Sequence, residues 1–308
     1  MSPQNQDASV HREFTIRRTG LYTATELYSG FEHGGWDATL DARIAADYAR
    51  SDESEVMDHA IHDASITLAL ETVGDDRESV GVRGGHRMRR GEPVFEEIVE
   101  LGNLLASAGF TVATGGGPGA MEAANFGAWS SAFDEPLRSS MRARLADSPH
   151  VEEDRDAAIA SALSICSLAP GPGTENLGIP TWVYWHEPPN TFATAIAKYF
   201  NNSIREHGLL SIATSGVVFA EGGPGTWQEI LTDAAQNSYV TEGVRSPMVF
   251  LRYEHEDLDL VFRQAETFGW RDLIYEVSDV RGALEALTEH RSEQPRQREI
   301  GHPRRQRR

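Results

Sequence analysis

The sequence predicts an α/β fold built on a doubly wound, mostly parallel sheet, with a helical extension ahead of it. Three observations carry that expectation. From Ser79 to Thr288, short apolar runs rich in β-branched residues alternate with longer runs of helical periodicity, the pattern of parallel strands joined by crossover helices. The tetrapeptide GGPG occurs twice, at 116–119 and 222–225, each time between a strand-like and a helix-like run. The chain has 308 residues and is 40% hydrophobic, and α/β domains of roughly 200–250 residues are ordinary.

In chain order, residues 1 to 35 show no clear periodicity, and Leu40–Arg50 and Glu55–Leu70 read as helices. We take 1–75 as a helical extension, 76–290 as the sheet domain and 291–308 as an arginine- and glutamine-rich tail that is expected to be disordered. Val80–Arg83 is the first strand, turning through Gly84, Gly85 and His86. Pro93 suits the start of a helix, whose stripe Val94, Ile98, Leu101, Leu105 and Ala108 would cover the sheet. Phe110–Thr114 is the second strand and leads into Gly115, Gly116, Gly117 and Gly119, after which AMEAANFGA reads as a helix.

The stretch 130–160 is polar with weak helical character. Ala162–Ala169 and Ile179–Trp185 are expected to be strands, and Asn190 or Thr191 to cap a helix running through Phe192, Ile196, Phe200 and Ile204. Gly216–Ala220, Met248–Arg252 and Leu273–Val277 complete the strands. Trp227–Asn237, Leu258–Phe268 and Val280–Thr288 complete the helices.

A strand that turns through glycines into a helix brings bare backbone N–H groups and the positive end of a helix dipole to one point, which suits a phosphate. The candidate phosphate-binding residues are Gly115, Gly116, Gly117, Gly119, Ala120, Met121 and Glu122 at the first turn. At the second they are Gly222, Gly223, Gly225 and Thr226. Gly84, Gly85, His86 and Asn202 are further candidates. Two such turns on one sheet suggest a single ligand held between adjacent strand ends.

Composition narrows the function. A net charge of −19 argues against coating nucleic acid or an anionic membrane. The single cysteine, Cys166, rules out a disulfide framework and fits a reducing cytoplasm. No apolar run reaches membrane-spanning length, and MSPQNQDASV has no signal-peptide core. His59 and His62 have i,i+3 spacing, but no third ligand is in reach on their helix, so a solvated helix face is expected there and no metal.

GGGPGAMEAAN and GGPGTWQE resemble the paired motifs of the LOG family, GGGxxGLM and PGGxGTxxE. That resemblance implies a Rossmann-like fold, a homodimer and, in several members, hydrolysis of a nucleoside 5'-monophosphate to free base and ribose 5-phosphate without a cofactor. It assigns catalysis to Glu229, the glutamate of the second motif, and to Arg205 ahead of that motif. The family proline before the second glycine pair is Glu221 here. An N-glycosidic bond breaks through an oxocarbenium-like sugar, and a carboxylate can stabilise that cation or prepare the attacking water. Glu229, about one helical turn past Thr226, could reach a ligand held there.

Three other readings compete. Gly115, Gly117 and Ala120 satisfy a dinucleotide fingerprint, but a strand and helix precede it where the fingerprint belongs after a first strand. A pyridoxal enzyme needs a lysine, and the sole lysine, Lys198, has no phosphate-cup motif around it. A non-catalytic carrier of a phosphorylated ligand, similar to the molybdenum-cofactor carrier proteins, would have the same glycine turns. The aromatic segment Trp182–Phe200 is the expected dimer contact.

Overall fold

A computed structural model describes residues 13–293 apart from 54, 75–76 and 185–186. Four helices come first: α1 (Ala24–Leu27), α2 (Phe31–Gly34), α3 (Leu40–Tyr48) and α4 (Val56–Gly74). Next are β1 (Ser79–Arg83), α5 (Pro93–Ser107), β2 (Thr111–Thr114), α6 (Ala120–Ser130), α7 (Glu135–Ala146) and α8 (Arg155–Leu168). The chain continues through β3 (Leu177–Gly178), β4 (Ala195–Ile196), α9 (Asn202–Ser211), β5 (Val217–Phe219) and α10 (Pro224–Tyr239). It closes with β6 (Met248–Leu251), α11 (Asp259–Phe268), β7 (Ile274–Val277) and α12 (Val280–Glu293).

The seven strands lie in the order β4-β3-β2-β1-β5-β6-β7, every pair parallel. The chain walks outward from β1 to one edge, crosses back to β5 beside β1, and walks to the other edge. This is a doubly wound Rossmann-like sheet, and its direction reverses between β1 and β5. Ligands of such sheets bind at that reversal, off the carboxyl ends of the strands. The register pairs Val82 with Thr114 and Arg83 with Phe219, so the turns after β2, β1 and β5 emerge side by side. The two GGPG strands are therefore not neighbours, because β1 runs between them.

Helices α5 and α6 cover one face through glycine contacts. A Cβ on Gly102 would lie 2.2 Å from the Ala124 carbonyl oxygen, and one on Gly127 2.0 Å from that of Val99. Only glycine lets the two backbones approach so closely. Phe95, Ile98, Val99, Leu101 and Leu105 form the buried stripe of α5, whereas Val94 faces solvent.

Three expectations between 160 and 204 are corrected. Ala162–Leu168 belongs to α8, with Ala169 at its C-cap; the helix starts where the Asp154 carboxylate accepts from Ala157 N–H, so the alanine-rich run completes a helix. The strand expected at Ile179–Trp185, whose last residue lies outside the described ones, does not form over 179–184: Leu177–Gly178 just ahead of it pairs with β2, and Pro180 has no N–H with which to extend the ladder. The helix expected after Asn190 is instead the short strand β4, and α9 begins only at Asn202. Asn190 is drawn to the first glycine turn, and Asn201 caps α9 by accepting from Ser203 and Ile204 N–H.

The N-terminal helices lie over the β3–β4 end of the sheet. Phe14, Tyr22, Leu27, Ile44, Ile66 and Leu70 share a core with Ile179, Trp182, Ile196 and Phe200. Tyr22 pairs antiparallel with Ile196, and Asp41 accepts from both the Trp182 indole and the Lys198 ammonium at 2.9 and 2.8 Å. Trp182, Phe192 and Phe200 are covered by their own chain, while Val183 and Tyr184 of the segment expected at a dimer contact are exposed. His59 and His62 are buried too, correcting the solvated face; His62 Nε2 lies 2.8 Å from the Tyr22 hydroxyl. The expected disorder of the tail falls on residues outside the described ones from 294 onward, and Arg291–Glu293 finish α12. Among the described residues no helix is long and apolar enough to cross a membrane, and no group of three or more His, Cys, Asp or Glu side chains could hold a metal.

Candidate functional site

The turn after β1 fastens the two glycine turns together. Gly85 N–H donates to the Glu221 carbonyl, and the Gly85 carbonyl accepts from Ala120 N–H, both at 3.1 Å. Gly119 has φ 70° and packs so tightly that a Cβ there would stand 2.5 Å from the Gly85 oxygen. A Cβ on Gly84 would come within 2.8 Å of Ala120. These glycines serve backbone-to-backbone packing.

The first turn is buried, and several of its polar groups are engaged within the protein. Gly116 N–H donates to Thr114 Oγ1 at 3.0 Å, and the Gly116 carbonyl accepts from Asn190 N–H at 2.8 Å. The Asn190 side-chain amide donates to the Gly117 carbonyl and to Asn125 Oδ1. Gly115, Gly117 and Ala120 are also buried, and Met121 packs its sulfur against Gly115. Glu122 is engaged in an ion pair. It is buried against Arg90 with contacts of 2.6 and 2.8 Å, and Arg90 is held in turn by the carbonyls of Ser148 and Ala158. His86 is exposed, and its carbonyl lies 3.2 Å from His150 Nε2.

The second turn is open. Nothing lies within 4 Å of where a Cβ would stand on Gly223 or Gly225. Helix α10 starts there with Gly223 as N-cap, no side-chain cap and no acidic residue in its first turn. Its first N–H groups and dipole are therefore available to an anion. Thr226 is buried beside Gly222, and Glu221, in the family-proline position, is exposed.

One turn into α10, Glu229 meets a charged cluster at the switch point. Its Oε1 lies 3.8 Å from Arg83 Nε and 3.9 Å from Arg205 Nη1, and its side chain is 11% exposed. Arg205, from α9, donates through Nε to the Ile179 carbonyl at 2.7 Å, through Nη1 to Glu206, and through Nη2 to the Gly115 carbonyl at 3.4 Å. It thereby joins the first turn to Glu229. Burial raises the Glu229 carboxyl above the usual carboxylate range; Arg83 and Arg205 oppose the shift and Glu206 adds to it. Asn202 is half-buried on the first turn of α9, its amide 3.5 Å from Glu206.

Sequence reasoning brought Glu229 and Arg205 to one place but missed Arg83, Glu206 and Asp233. Arg83 is fully buried at the end of β1, donating to the carbonyls of Val82, Ala113 and Leu209. An arginine closing an otherwise apolar strand before a glycine pair was the available signal. Asp233 follows Glu229 by four residues, one turn along the same helix face. Lys198 is buried against Asp41.

No protein-family model matches the chain, and no curated protein matches it in sequence. Solved structures do resemble it. A Moco carrier protein from Chlamydomonas reinhardtii aligns at 18% identity and a TM-score of 0.45, covering 71% of this chain and 99% of that one. The molybdenum cofactor binding protein of the phototrophic bacterium Rippkaea orientalis aligns at 16% identity and a TM-score of 0.42, covering 69% and 96%.

Proposed function

We propose that this chain binds a phosphorylated small molecule of nucleotide type off the carboxyl ends of β1 and β5. The observation that carries this is the open, uncapped N-terminus of α10 beside a buried carboxylate flanked by two arginines. The phosphate is held by the backbone around Gly223, Gly225 and Thr226, and the rest of the ligand reaches toward Glu229. The first turn supplies the wall, since the Gly116 N–H is spent on Thr114.

On this reading Glu229 stabilises the oxocarbenium-like sugar of a nucleoside 5'-monophosphate, or prepares the water that attacks it, releasing the base and ribose 5-phosphate. Arg83 and Arg205 favour its ionised form. The test is a panel of nucleoside monophosphates assayed for free base and ribose 5-phosphate. Glu229→Gln should lower turnover by about 10²-fold or more while nucleotide binding survives. Wild-type turnover in Glu229→Gln would reduce the carboxylate to a partner of the helix dipole.

A second reading, holding without cleavage, has one observation in its favour. All three Arg205 nitrogens are already donating within the chain, so Arg205 meets the demands of a scaffold before those of a substrate. A carrier of a nucleotide or molybdenum-cofactor-like ligand would bind the panel without releasing base. The LOG resemblance also implies a homodimer, which light scattering at micromolar concentration reads. Its surface would lie elsewhere than Trp182 and Phe200.

A further inference from the structure

Asp233 shares one face of α10 with Glu229, a helical turn deeper. It is fully buried, and neither carboxyl oxygen meets a hydrogen-bond donor among the described residues. The cation opposing its burial is Arg83 of β1. Both terminal nitrogens of Arg83 are held by backbone carbonyls. Its Nε has no hydrogen-bond partner and points its charge at Glu229, 3.8 Å away. From α9, Arg205 and Glu206 also act on Arg83. Two arginines therefore meet three carboxyls: Glu206, Glu229 and Asp233. Glu206 and Glu229 each lie within ion-pair reach of an arginine, at 2.5 and 3.8 Å. Asp233 has no such contact, and a buried carboxylate without donors is far costlier than the neutral acid.

We propose that Asp233 is kept as the neutral acid in the folded protein and acts as a positioning residue for Glu229, leaving the free edge of Arg83 to Glu229 alone. The inference rests on the reading above, in which Glu229 faces the ligand. An ionised Asp233 would compete for Arg83 and add an anion to the buried interior of α10, about 12 Å along the helix from Gly225, weakening both the hold on Glu229 and, through the low-dielectric core, the binding of a phosphate ester. Burial lifts the Asp233 carboxyl to about 7, against the pull of Arg83, so the change falls near neutrality.

The test compares wild type with Asp233→Asn, which has nearly the shape of the neutral acid and none of its titration. In infrared difference spectra of the ligand-free proteins about one unit below that value, wild type should show a protonated-carboxyl C=O stretch that Asp233→Asn lacks. The band should fade as the pH is raised through the same value. Identical spectra would overturn the proposal. Calorimetric titration with AMP over the same range gives a second readout. AMP itself ionises in this range, so the comparison between the two proteins carries the result. Wild-type affinity should fall several-fold more than that of Asp233→Asn as the pH rises, and equal slopes would remove the positioning role. If neither protein bound AMP, the reading of the site would fail and the positioning role with it, while the infrared comparison would still decide where the proton resides.

Discussion

At the scale of single residues, the cost of the site is concentrated in Asp233. In the folded chain it holds its proton to about 7 instead of its usual 3.8. Between those values the folded state binds a proton that the unfolded state has released, so stability falls as pH rises through the window and stays lower above it. A shift of that size corresponds to about 4 kcal/mol. Asp233→Asn should remove this slope, leaving a protein that gains on wild type as the pH rises. Urea titrations at the two ends of the window measure it, and a slope retained by the variant would place the titrating group elsewhere.

At the scale of elements, the two glycine turns do different work, although their tetrapeptides are identical. The first is a packing junction. Gly119 combines positive φ with a backbone oxygen 2.5 Å from where a Cβ would sit, so Gly119→Ala must displace either α6 or the turn after β1. The strained backbone alone costs about 1–3 kcal/mol, and overpacking adds about 1–3 kcal/mol. The second turn is a surface. Gly225→Ala meets nothing within 4 Å and should leave the melting temperature within a degree or two while altering affinity for a phosphate ester. Thermal melts with and without AMP separate the two effects. A Gly225→Ala protein as unstable as Gly119→Ala would mean that the second turn is also a packing junction.

At the scale of the whole molecule, the N-terminal helices close the core over the β3–β4 end, and Lys198 is their deepest tie. Its ammonium lies 2.6 Å from Asp41, and both side chains are 1% exposed. Lys198→Met would strand a buried carboxylate, at a cost of about 3–5 kcal/mol. Adding Asp41→Asn should restore part of the loss, because the charge left without its partner would be gone. Denaturant unfolding of the two single variants and the double measures the coupling; strictly additive losses would mean that the pair contributes nothing as a pair.

The sheet, its parallel sense, most of its strands and helices and both glycine turns were legible in the sequence, because each depends on short-range periodicity and on residues with narrow backbone preferences. The place of Glu229 on α10 was legible for the same reason, one turn beyond a recognisable helix start. The stretch from Ala162 to Ile204 was not, because alanine and aromatic runs suit helix or strand equally and distant partners decide between them. Asn190 illustrates this: it could cap a helix, but the first glycine turn takes its hydrogen bonds. Which turn is open, and that Arg83, Glu206 and Asp233 converge on Glu229, also arose only in three dimensions. Those residues come from β1, α9 and α10, and their charges become costly, and so informative, only once folding removes them from water.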